Sequence, residues 1–435
     1  MSKKAEKLIR KRRFLINKTK KIIKKRHKKN RKKKTKKVTN SIYINRSYND
    51  KNSKIIKVLE HSNFYKKVRR KKGDKELKIN IPRIFSFINN PDETILTLKK
   101  IYYAGTNSHI SSIYFNYSQC EELGLCASLV TDLIILSLPR YKTKKIHLHG
   151  STPNSIDARK LFNITGLPKH LGIHDASTPD SEILDILSNI ESGEMAEQVV
   201  NFYQKCLNTQ GYELTMLGKN AFSSMIGEVI NNSEQYSGEN GTWHALGYFD
   251  KPEVGEDYGK CRLVLMNFGN SIYESLKEAD TTEYTKNQLK NHTKKNYNFL
   301  DQFTYTEEIL WTLYSLQQNI SKKRKDINDD RGNGTIKLIK SFMDIGANID
   351  NKKSLMSITS GKCQILFDGT YKLEEKVNKD KKYYQIAFND SNNLNNKPDK
   401  RFVYNLQNKF PGTIISMEFY LDRKFFNMLL NKEEN

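Results

Sequence analysis

Residues 226–237 read IGEVINNSEQYS, preceded by GKNAFSSM at 218–225, and the fold of the second half of the chain turns on this run. Its apolar positions recur at helical period, and on a helix Glu228 and Asn232 stand one turn apart on one face. A carboxylate and an amide so placed can divide the work of nucleotide hydrolysis. The carboxylate positions and deprotonates a water, and the amide oxygen is a hard ligand for Mg²⁺. The same spacing also occurs on any solvated polar helix face, so the residues that follow decide between the two readings.

Downstream, VLMNFGNSI (264–272) is a strand in which apolar character gives way to Asn267-Phe268-Gly269. A polar group at a strand end beside a glycine can read a base edge, because glycine lets a ligand approach the backbone. A long, polar, mostly helical stretch covers 273–328. DDRGNGTIKLI (329–339) then sets Gly332 and Gly334 before a helix whose free N–H groups and dipole favour phosphate. Last comes FPGTIISMEF (410–419), a Gly-Thr leading into a terminal strand.

This order resembles the GHKL superfamily of gyrase-type, Hsp90-type and MutL-type ATPases, histidine kinases and anti-sigma serine kinases, over roughly residues 185–425. EVINNSEQYS looks like the family's N box, which implies Glu228 as general base and Asn232 as Mg²⁺ ligand. NFGNSI resembles the first glycine box, with Asn267 and Gly269 at the nucleotide. RGNGTIKLI resembles the second, with Arg331, Gly332, Asn333, Gly334 and Thr335 beside the phosphates. PGTIISMEF resembles the closing strand, whose Thr413 would assist adenine recognition. The resemblance implies a Bergerat-type α/β sandwich over 180–430, with ATP and Mg²⁺ as cofactors. Two positions depart from the pattern. Asn267 stands where the family usually has an Asp that accepts from the adenine amino group, and a neutral acceptor is the weaker one. Ser271 replaces the box's second glycine. The carboxylate retained at 228 points to turnover rather than binding alone.

Upstream, strand and helix alternate at short spacing. LKINIPRIFSF is strand-like and DETILTLKKIYYAG helical; HISSIYFNYSQC is a strand, GLCASLVTDLIILSL a helix, KKIHLHG a strand and SIDARKLFNITGL a helix ending at Gly166. A small α/β domain over 76–178 is expected. It is similar to STAS domains, although Ser118-Gln119-Cys120-Glu121-Glu122 does not reproduce their D-S-S/T-G loop, so only the fold carries over. The same alternation fits other α/β layers. His147 and His149 share a strand face but lack a third metal ligand at suitable spacing.

Between these regions SEILDILSNIESGEMAEQVVNFYQKCL (181–207) reads as one helix, while Asn- and Lys-rich 375–400 reads as a solvated loop. EEILWTLYSLQQNISKKRK (307–325) carries Ile309, Leu310, Leu313 and Leu316 at helical period, a core stripe. Beyond it Lys323, Arg324 and Arg331 are candidate γ-phosphate sensors in a flap, 273–331, that would order over the nucleotide.

The chain carries a formal +27, of which residues 1–40, with 21 Lys and Arg against Glu6 alone, hold +20. Such self-repelling charge stays disordered unless a polyanion pairs with it. Residues 1–75 therefore read as a basic tail and linker, with a helix possible around 54–70. Lys24, Lys25, Arg26, Lys28, Lys29, Arg31, Lys32, Lys33 and Lys34 would grip nucleic acid through phosphates without reading sequence. The five cysteines are scattered and form no C-x-x-C pair, as in a reduced cytoplasmic protein. No apolar run is long enough to span a bilayer.

Together these features predict a Mg²⁺-dependent ATP-hydrolysing switch, with the STAS-like layer as sensor or docking surface, the tail on nucleic acid at the nucleoid, and a possible homodimer. A protein serine kinase of the anti-sigma type and a catalytically inactive nucleic-acid scaffold are the alternatives.

Overall fold

The structure, a computed structural model, describes residues 54–69, 73–138, 146–173, 181–189, 191–236, 241–252, 258–296, 305–318, 320–323, 334–345, 353–378 and 381–422, with Gly238, Glu256 and Lys325. All of them belong to one compact unit, Lys51–Asn435. The candidate nucleic-acid residues in 24–34 lie outside the described residues, as do Arg331, Gly332 and Asn333.

The architecture is mixed α/β. Helix α1 (Lys54–His61) leads into β1 (Glu76–Asn80), β2 (Ile84–Phe85), α2 (Pro91–Thr106), β3 (Ser112–Asn116), β4 (Glu122–Leu123), α3 (Leu125–Ser137), β5 (His147–Gly150), α4 (Ile156–Ile164) and α5 (Leu167–His170). Strands β1, β3 and β5 make a parallel sheet in the order β1-β3-β5, and β2 pairs with β4. Along β1 burial alternates, with Leu77 and Ile79 inward, as one covered face requires. Helix α1, within the stretch 54–70 where a helix is expected, buries Ile55 and Leu59, so this part of the region read as linker is packed.

The second layer holds β6 (Ser181–Ser188), α6 (Ser192–Asn208), α7 (Met216–Tyr236), β7 (Thr242–Asp250), β8 (Tyr258–Phe268), α8 (Ile272–Lys277), α9 (Glu283–Asn296), α10 (Glu307–Ser315), α11 (Gly334–Ile345), β9 (Leu355–Phe367), β10 (Glu374–Asn378), β11 (Lys381–Gln385) and β12 (Val403–Asp422). Its five-stranded sheet runs β6-β7-β8-β12-β9, every neighbour antiparallel. Leu263 and Leu265 of β8 face the helices, which contribute Ile226, Val229, Ile309 and Ile339 to that core. Val264, Met266 and Phe268 face the opposite way, into a core shared with the parallel layer. A strand covered on both sides must be apolar at nearly every position, hence the unbroken LVLM of the sequence. Helix α3 packs against β7 and β8. It is also covered by α1, α2, α4 and α5, which explains why it is buried from Leu125 to Leu136 and shows little amphipathic contrast.

Aromatic edges join the layers. Phe410 stands 5.6 Å from both Phe87 and Phe268 and 6.3 Å from Phe64, centroid to centroid. Two hydrogen bonds reinforce the contact: Gln364 Nε2 donates to Phe87 O at 2.9 Å and Asn408 N to Asp92 Oδ1 at 2.9 Å.

Three expectations are corrected. Residues 181–188 form a strand, and the helix begins only at Ser192. The i, i+1, i+3, i+4 spacing of Ile183, Leu184, Ile186 and Leu187 imitates a helix. A register shift between Leu184 and Leu187 lets both reach the helical core while Ile183 and Ile186 pack on the other side. Residues 375–400 are not simply a solvated loop: β10 and β11 form a hairpin, after which Ile386, Ala387 and Phe388 are buried. The described part of the expected flap contributes to the core rather than standing free of it, since α9 buries Leu289 and α10 buries Ile309, Leu310, Trp311 and Leu313. The apolar stripe on α10 is therefore a packing face. All five cysteines are buried free thiols. No helix among the described residues is long and apolar enough to cross a membrane.

Candidate functional site

Helix α7 buries Met225, Ile226, Val229 and Ile230 against the sheet. The i, i+1, i+4, i+5 stripe fixes the helix's rotation and turns Glu228 and Asn232 along its edge. Both line a cavity of about 320 Å³ that also takes in Asn267 at the end of β8, Asn270 just after it, Lys322, Thr335 in the first turn of α11, and Thr413 of β12. Val229, Leu276, Leu316, Ile320, Ile358 and Ile415 supply apolar wall, and Ser233, Ser271, Ser275, Ser315 and Ser321 add hydroxyl-bearing residues to the lining, giving a concave pocket with convergent polar groups.

Glu228 is 34% exposed, with Lys337 Nζ at 3.9 Å from its Oε2; so solvated an ion pair holds the carboxylate only weakly. The Asn232 side chain has no hydrogen-bond partner among the described residues. Thr335 brings the N-terminal turn of α11, a helix of 12 residues, to the cavity wall, where unpaired N–H groups and the helix dipole suit an anion.

Asn267 is held tightly. It is 3% exposed, and its Oδ1 accepts from Thr413 N at 3.1 Å. Thr413 Oγ1 lies 2.8 Å from Ser360 Oγ, which accepts from Ile272 N at 2.8 Å. The close approach of β12 to β8 here depends on Gly412, whose φ is +137°. A Cβ at that position would lie 2.0 Å from the Asn267 carbonyl oxygen. Gly269 also has a left-handed φ, +147°, and its N donates to Pro411 O at 3.2 Å. It shapes the turn out of β8 and does not line the cavity. Gly334 opens α11.

Ser271, at the position of the missing glycine, is fully buried and caps α8. Its Oγ accepts from Glu274 N at 3.2 Å while its own N donates to Glu274 Oε2 at 2.9 Å, a reciprocal capping box. Burial would raise the Glu274 pKa, but hydrogen bonds from Lys409 and from Ser271 outweigh it and hold the carboxylate low.

Among the described residues the basic side chain that reaches the cavity is that of Lys322, one position before the first of those expected. Lys322 is 5% exposed and Lys323 is at the surface, while Arg324 and Arg331 lie outside the described residues. Lys322 pairs with Glu278 and, at 2.7 Å, with Asp280. Burial opposes its charge, and the two carboxylates more than restore it, so its pKa lies above the usual lysine value. Within SKKRK no local signal separates Lys322 from its neighbours. The Ser360 support for Thr413 was equally unreadable, because it depends on pairing between β9 and β12. His149 is paired with Glu76 at 3.2 Å, and no group of three or more His, Cys, Asp and Glu suited to a metal occurs among the described residues.

No protein-family model, no curated protein and no solved structure matches the chain.

Proposed function

We propose that the cavity binds a nucleoside triphosphate with Mg²⁺ and that the chain hydrolyses it as a switch of the GHKL type, the second layer being a Bergerat-type sandwich and the first a STAS-like sensor or docking layer. One observation carries the reading. Glu228 and Asn232 on α7, Asn267 at the end of β8, Thr335 on α11 and Thr413 on β12 come from four elements well separated in sequence and line the same cavity.

The division of labour follows from the groups. Glu228 keeps enough exposure to meet a water at the cavity and accept its proton as the oxygen attacks the terminal phosphorus, forming inorganic phosphate while the anhydride bond breaks and the nucleoside diphosphate leaves. Asn232, whose amide oxygen has no competing partner among the described residues, fits a Mg²⁺ that keeps most of its waters. That ion, when bound, would neutralise phosphate charge. Thr335 and the first N–H groups of α11 suit the phosphate oxygens. Asn267 and Thr413 lie where they can contact the base, and the apolar wall excludes water from its faces.

The test is phosphate release from ATP or GTP by the wild type and by Glu228→Ala. Loss of about 10²–10⁴-fold in turnover with nucleotide binding retained is expected of a general base. Unchanged turnover removes Glu228 from that role, and ³²P appearing on protein instead of as free phosphate means transfer to a side chain. Binding of DNA by the 24–34 run belongs to the same proposal: it should weaken steeply with salt and vanish on deletion of residues 1–40.

A further inference from the structure

We infer that the site prefers a nucleotide whose base presents a 6-keto oxygen, guanine or hypoxanthine, over adenine. This deepens the nucleotide reading above and rests on it. The observation is the orientation of one buried amide. Thr413 N is a backbone donor, and a donor fixes which end of the Asn267 side chain it meets. Since Thr413 N donates to Oδ1 at 3.1 Å, Oδ1 is turned towards β12 and the other end of the amide is Nδ2. No group among the described residues accepts from Nδ2. It is not sealed in the protein either, being absent from the buried atoms that lack a partner. Asn267 nonetheless lines the cavity and is 3% exposed. The small opening this amide has is therefore to the cavity, through an N–H₂ in want of an acceptor.

Chemistry then selects the base edge. A 6-keto oxygen carries two lone pairs and can accept from Nδ2. The 6-amino group of adenine would face it with hydrogens, leaving two donors opposed in a dry site, a loss of roughly ten- to a hundredfold in affinity. Rotating the Asn267 amide does not rescue adenine, because its nitrogen would then face the Thr413 N–H. Gly412 keeps that N–H in place, since its left-handed φ of +137° holds β12 against the Asn267 carbonyl.

The experiment is calorimetric titration of the full chain with Mg²⁺ and the β,γ-imido analogues of GTP and ATP, with ITP as a third probe. The imido-GTP and ITP are expected to bind about ten- to a hundredfold more tightly than imido-ATP. Asn267→Asp keeps an oxygen for Thr413 N and presents a second, acceptor-only oxygen to the cavity, so it should reverse the order. Equal or tighter binding of imido-ATP by the wild type overturns this inference and leaves the nucleotide site standing. Failure of all three probes to bind removes the nucleotide site itself, and the base preference with it. The wild-type ranking decides even if Asn267→Asp does not fold.

Discussion

Lowering the pH should destabilise the protein through His244. This side chain is 3% exposed, with Nδ1 2.6 Å from Ser188 Oγ, Nε2 3.2 Å from Thr242 Oγ1 and the Phe268 ring at 6.1 Å. Burial pushes its pKa down to about 3, whereas in an unfolded chain the imidazole titrates near 6.5. Between those values the unfolded state binds a proton that the folded state refuses, so stability is whole above about pH 6.5 and declines as the pH falls towards 3. The slope in that window is about 1.4 kcal/mol per pH unit, so going from pH 7 to pH 5 removes about 2 kcal/mol through this residue alone. Urea unfolding of the wild type and His244→Gln at both pH values isolates the term, because the carboxylates contribute to both proteins alike. The wild type should lose about 2 kcal/mol more than the variant over the interval. An identical loss in the two would refute the claim that His244 is held neutral.

Other substitutions test the packing around the cavity. Gly412→Ala forces a side chain into a left-handed φ with its Cβ 2.0 Å from a backbone oxygen; a loss of at least about 2 kcal/mol is expected in urea, and an unchanged midpoint would show that β12 shifts freely. Ser271→Ala removes the cap of α8 and should cost about 1 kcal/mol, read the same way. Glu418 faces the buried Arg262, which also meets Asp250 at 3.0 Å. Burial would raise the Glu418 pKa, but Arg262 and Lys260 outweigh it and hold the carboxyl low. Its contribution is present above the unfolded carboxylate pKa and is lost as the pH falls through the folded one. Glu418→Ala should cost about 3–5 kcal/mol near neutral pH, and a thermal-melt comparison showing near-neutrality would mean that Asp250 alone satisfies the arginine.

How far the sequence could be read depended on the range of the signal. The helical face carrying Glu228 and Asn232, the apolar strand running into Asn267, the core stripe of α10 and the alternation of the first layer are all written in short local patterns, because backbone geometry repeats every few residues. Residues 181–188 defeated that reading, since a bulge in the pairing with β7 imposed a helix-like spacing on a strand. The length of β12 was hidden too, as its first half gains its partners only from β9.

The sequence by itself determined which residue types stand at the site and in what order: a carboxylate and an amide on one helix face, an asparagine at a strand end, a helix start and a Gly-Thr strand. Tertiary structure alone decided that they share a cavity, that Lys322 rather than Lys323 reaches it, and that the Asn267 amide turns its nitrogen inward. The reason is physical. Side-chain direction along one element follows from local geometry, but burial, strand register and the partner of an amide depend on segments more than a hundred residues away, such as Thr413 from Asn267.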